Sequence, residues 1–128
     1  MLKKVCACAV LTAIVAAFSL PTASALPPIN IGWKAKYVEG NSNAKFVESA
    51  KTANCLVCHG EEKKIRNDYG KAVGKYLTKA KITDLKNGGD NDALKKYIEE
   101  GLGKAEAEKS KGGKTYGELI KAGHLPSE

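Results

Sequence analysis

The chain has 128 residues, of which 27% are charged and 43% hydrophobic, with a formal net charge of +7. That length suits one small domain with a modest core. Arg66 is the sole arginine, the remaining positive charge is lysine, and no basic–aromatic interleaving is visible, which argues against nucleic acid as a partner.

Residues 1–25 read as a secretory signal peptide. Lys3 and Lys4 form a basic start, Val5 to Leu20 is apolar apart from Thr12 and Ser19, and Pro21 breaks the run. Ala23-Ser24-Ala25 then offers a small-residue site for cleavage after Ala25. The apolar run is shorter than the ~20 residues a spanning helix needs. The mature form is therefore expected to lack a stable membrane span and to reside in the periplasm or another extracytoplasmic space. Cys6 and Cys8 leave with the leader. Only Lys3 and Lys4 are lost among charged residues, so the mature chain keeps a formal charge of +5. A surface rich in lysine favours fast, salt-sensitive docking to acidic partner proteins, and it also serves solubility.

Residues 26–42 begin with Pro27 and Pro28 and are expected to form an extended arm, with Trp33 and Tyr37 packing on the core or on a cofactor edge. Ser42 or Asn43 caps a helix running to about Cys58, with Phe46, Ala50, Ala53 and Val57 as its apolar stripe. A second helix is expected from about Asn67 to Ala80, buried along Tyr69, Ala72, Val73, Tyr76, Leu77 and Ala80. Gly70 and Gly74 fall four apart on it, either as a mark of close approach or as a weak spot in the helix. Asn87-Gly88-Gly89-Asp90 is a turn. Asn91 or Asp92 caps a third helix whose stripe is Leu94, Tyr97, Ile98, Leu102 and Ala105, with Gly101 and Gly103 as points of kinking or fraying. Thr115-Tyr116-Gly117-Glu118 has the form of a capping box opening a last short helix, with Gly123 at its end. No segment alternates long enough to make a strand, so the chain reads as all-α.

Cys55-Leu56-Val57-Cys58-His59 is a C-x-x-C-H run, the signature of covalent c-type haem attachment. Three residues apart at a helix end, the two sulfurs face the same way and each can add to one haem vinyl group. His59 then follows as the proximal iron ligand. A structural disulfide between the two cysteines is another reading in an oxidising compartment. A thioredoxin-like pair would want a βαβ setting, which is missing. A zinc site from Cys55, Cys58, His59 and His124 suffers from the adjacency of Cys58 and His59.

The run Asn54-Cys55-Leu56-Val57-Cys58-His59-Gly60 and the later Arg66-Asn67-Asp68-Tyr69-Gly70-Lys71-Ala72 resemble the small exported mono-haem cytochromes c, over about residues 43–80. The resemblance implies a cytochrome c-like haem domain over 43–128, a bundle of about four helices around one covalent haem c. It also implies a one-electron carrier rather than an enzyme.

The chain departs from that family in one respect. Its only methionine is Met1, so no methionine remains to ligate iron on the distal side. His124 is the sole other histidine and the candidate distal ligand; a lysine, a tyrosine, the new N-terminal amine, a group from a partner subunit, or an open position are the alternatives. Tyr69, Tyr76 and Tyr97 lie on apolar stripes and read as core or haem-wall residues rather than ligands. Without a thioether the reduction potential is expected to be low. Two further readings stand beside the electron carrier: a protein that binds nitric oxide or carbon monoxide at an open iron, and a haem subunit of a homo- or heterodimeric redox complex. Peroxidase chemistry lacks an identifiable distal acid–base pair.

Overall fold

A computed structural model describes residues 27–128; the expected leader, the expected cleavage after Ala25, and Cys6 and Cys8 lie outside them. The described residues form six α-helices and no strand, with isolated bridges between His59 and Arg66 and between Lys109 and Thr115. The all-α expectation holds, with six helices in place of about four. Among these residues no helix is long and apolar enough to cross a membrane.

The first helix is a correction. Pro27–Tyr37, expected to be extended, is helix α1. Proline is tolerated in a first turn because the N–H groups there have no intrahelical acceptor and its φ is already helical. Ile29, Trp33 and Tyr37 recur every four residues, and Trp33 and Tyr37 are buried against the rest of the molecule.

Helix α2 spans Ala44–Ala53, opened by Asn43, whose side chain accepts from the Phe46 N–H at 3.1 Å. It was expected to reach Cys58 but stops earlier. Asn54 takes a positive φ of 46°, and a 3-10 helix over Asn54–Val57 follows.

Helix α3 covers Asp68–Tyr76 and ends sooner than its apolar stripe suggests, because Leu77 is extended and Thr78 caps a separate helix α4, Lys79–Asn87. A threonine hydroxyl that can accept from a following N–H competes with continued helix. The break is held by Tyr97, which accepts from the Thr78 N–H at 3.2 Å and donates to the Tyr76 carbonyl at 2.9 Å. Leu77 and Ile82 still reach the core on either side of it.

Helix α5, Asn91–Glu106, is capped by Asp90 and runs through Gly101 and Gly103 without interruption, against the expectation of a kink or fraying there. Helix α6, Tyr116–Lys121, has the expected capping box: Thr115 N–H donates to Glu118 at 2.7 Å and Glu118 N–H to the Thr115 hydroxyl at 3.2 Å. Gly123 follows with φ +82°, a left-handed turn that glycine takes without a Cβ penalty.

Helices α1, α3 and α4 pack on α5, and α6 closes its far end. The core is aromatic at its centre. Trp33 lies 5.3 Å from Tyr37 and Tyr69 5.0 Å from Tyr116, ring centre to ring centre. The buried indole N–H of Trp33 donates to the Tyr69 hydroxyl at 3.0 Å. Tyr37 donates to Glu106, which also pairs with Lys36 at 3.3 Å.

Candidate cofactor site

The end of α2 delivers the C-x-x-C-H run onto one wall of a cleft. After the break at Asn54, the N–H groups of Cys58 and His59 both donate to the Cys55 carbonyl, at 3.2 and 3.0 Å. The loop that follows turns back at once: Gly60 N–H donates to the Ile65 carbonyl at 2.8 Å, and His59 bridges to Arg66. The returning chain enters α3 through Asn67, so motif and helix face each other.

The cleft has a volume of about 280 Å³. One wall is the motif itself, Cys55, Val57, Cys58 and His59, beside Ile29 and Trp33 of α1. The other is α3, presenting Gly70, Val73 and Gly74, with Leu77 beyond. At Gly70 a Cβ would collide with the Cys58 carbonyl, so only glycine allows α3 to lie this close to the motif. At Gly74 a Cβ would meet the Arg66 guanidinium. Close approach is observed at Gly70, where the motif backbone lies against α3; at Gly74 the neighbour is the tip of the Arg66 side chain, which can move.

The polar chemistry of the cleft is uneven. His59 Nδ1 is buried and has no hydrogen-bond partner. An orphaned imidazole nitrogen is costly where nothing uses it. Both cysteines are free thiols, so the disulfide reading is not realised. Burial pushes the Cys58 thiol up to about 12 against the opposing pull of Arg66, which keeps it protonated and poorly suited to thiolate chemistry. Among the described residues no three His, Cys, Asp or Glu side chains converge on a metal-sized site, so the Cys55, Cys58, His59 and His124 set is not assembled for zinc.

Lys63, Lys64, Arg66 and Lys79 line the cleft, and no carboxylate does. None of these four cations has an ion-pair partner among the described residues, whereas Lys36, Lys71, Lys75, Lys96 and Lys111 each do.

His124 is not brought to His59. It lies outside the cleft lining, its side chain is 61% exposed, and its Nδ1 sits 3.5 Å from Glu128. The left-handed turn at Gly123 sends Leu125 into the core and leaves His124 on the outside. The expected distal candidate therefore lies outside the cleft lining. Tyr69 is core, as expected, and Tyr76 and Tyr97 pack against the core; none of the three lines the cleft. Trp33 does both things expected of it, since it is buried and also lines the cleft.

Asn67, expected only as the start of a helix, joins the motif to α3. Its signal was legible as an N-cap three residues before Gly70, but its contacts to the motif are tertiary. No family model, no curated protein and no solved structure matches the chain.

Proposed function

We propose that the chain is an exported mono-haem c-type cytochrome that carries single electrons, with Cys55 and Cys58 as the covalent anchors and His59 as the proximal ligand. The observation that carries this reading is the C-x-x-C-H run on a cleft wall, with a buried, unpartnered His59 nitrogen and α3 packed closely against the run at Gly70. These residues fit the group. Two reduced thiols three apart are what thioether formation consumes, and the cleft is apolar along Ile29, Val57, Val73 and Leu77.

Bound haem supplies a one-electron iron couple. The protein's own residues do the rest. The two sulfurs hold the group in a domain too small to enclose it, and His59 sets its orientation. The apolar walls keep water away, and the uncompensated Lys63, Lys64, Arg66 and Lys79 steer acidic redox partners to the mouth. Since no methionine follows Met1, the potential is low.

A second reading has one observation in its favour: with His124 outside, the cleft lining contains no imidazole other than His59 and no thioether. Iron held there by His59, with no cleft lysine ligating it, would be open to nitric oxide or carbon monoxide.

One preparation tests both. The chain is produced with a c-type haem attachment system and weighed. A mass gain of one haem and a reduced c-type spectrum are expected, and a haem-free chain overturns the proposal. Carbon monoxide is then titrated into the dithionite-reduced protein. Unchanged bands identify a six-coordinate electron carrier, and a shift at low concentration identifies the gas-binding protein. A strongly positive midpoint in a potentiometric titration sinks the low-potential assignment.

A further inference from the structure

Asn67 connects two backbone ends that would each be left unsatisfied. The carbonyls at the end of the 3-10 helix over Asn54–Val57 have no partner within it, and the first N–H groups of α3 have none within α3. The Asn67 side chain serves both. Its Nδ2 donates to the carbonyls of Leu56 at 3.1 Å and Val57 at 3.0 Å, and its Oδ1 accepts from the Gly70 N–H at 2.8 Å. Its own backbone N–H donates to the Cys58 carbonyl at 3.0 Å. Three consecutive carbonyls of the C-x-x-C-H run are therefore held by one residue, on the side of the run where Gly70 lets α3 approach. The side chain of Asn43, which caps α2, makes only the ordinary cap bond, accepting from the Phe46 N–H.

We propose that Asn67 is the positioning residue of the attachment motif: its side-chain amide nitrogen fixes the carbonyls of Leu56 and Val57, and through them the aim of the Cys58 sulfur and the His59 imidazole. The inference rests on the haem reading above. A side chain that only capped α3 would need an acceptor and no donor, so aspartate or serine would replace it without loss. A side chain that positions the motif needs the amide N–H groups as well, and neither aspartate nor serine can reach both carbonyls with a donor.

The test compares full-length wild type with Asn67→Ser, which is neutral, and Asn67→Asp, which is isosteric. Asn43→Asp makes the same change at a cap that does not touch the motif. All four are produced with the haem attachment system. Mass spectrometry counts thioethers, electron paramagnetic resonance of the ferric protein reports the ligand field at iron, and circular dichroism reports helix content. The expected result is that both Asn67 variants keep their helix content yet lose doubly attached haem, by about tenfold on the scale typical of outer-shell partners of a metal site. What haem they retain should show shifted g values. Asn43→Asp should match wild type in all three readouts. Wild-type attachment and g values in both Asn67 variants would overturn the proposal. So would a loss of helix in the doubly attached fraction, since that assigns Asn67 a general structural role. A wild-type chain without covalent haem instead sinks the underlying reading.

Discussion

Between Asn54 and Asn67 the only regular element is a 3-10 helix of four residues, whereas α5 alone runs for 16 with α1, α3 and α4 laid along it. The first region carries Cys55, Cys58, His59 and three of the four unpaired cations of the cleft. The second carries the aromatic core and the Tyr37–Glu106 tie. The irregular segment keeps its shape through backbone bonds and one asparagine; the helical face keeps its shape through buried area. Reactive residues thus sit on a segment that a rigid scaffold positions, and damage to the two regions should be read out differently.

The sharpest way to separate them is at the motif. On the proposed haem reading, Cys55→Ala with Cys58→Ala should abolish covalent attachment, seen as a chain mass without haem after denaturation. Gly70→Ala should come next on the same side, because its Cβ runs into the Cys58 carbonyl, and backbone cannot yield as a side-chain tip does. A fall in attachment yield checks it, and a fully loaded variant would show that α3 can move away from the motif at little cost.

On the scaffold side, Leu102 is fully buried, and Leu102→Ala should cost about 2–5 kcal/mol in urea unfolding. Trp33→Phe keeps most of the packing and removes the donor to Tyr69, with an expected cost of about 1 kcal/mol. Trp33 also lines the cleft, so this variant tests the separation itself: a shifted haem spectrum would show that the two regions are coupled through that ring.

The smallest effect is electrostatic. Lys75 Nζ and the Tyr76 hydroxyl both donate to the Glu108 carboxylate, at 2.8 and 2.6 Å, and these bonds hold the Glu108 carboxyl below its ordinary 4.5. A carboxyl whose folded value is the lower one contributes its full stability above 4.5 and loses it as pH falls through the folded value. The stability gap between wild type and Glu108→Gln should therefore be widest near neutrality and close on acidification. A gap that widens in acid would mean that the pair does not hold in solution.

Much of this was legible from residue order. The Thr115–Glu118 capping box, the glycine after α6 and the stripe of α5 are all local patterns, and each is realised within the helix it belongs to or at its end. The failures share a cause. Pro27 and Pro28 looked like breakers because a proline's effect depends on whether a helix begins at it or before it. The stripe of α3 looked continuous because Leu77 is buried on both readings, while the Tyr97 hydroxyl that satisfies the broken backbone comes from 20 residues further along the chain.

The sequence by itself determined the helical character, the Asn43 cap and the α6 capping box, the presence of two cysteines and a histidine at C-x-x-C-H spacing, and the absence of any methionine after Met1. Periodicity and covalent spacing are properties of neighbours in the chain, so they survive without knowledge of the fold. Only the tertiary structure decided that α3 lies against the motif at Gly70, that Asn67 spans both, that four cations at the cleft go unpaired, and that His124 points away. Each of those depends on which surfaces meet across a large sequence separation, and that is settled by burying the aromatic core against α5 rather than by any residue near the site.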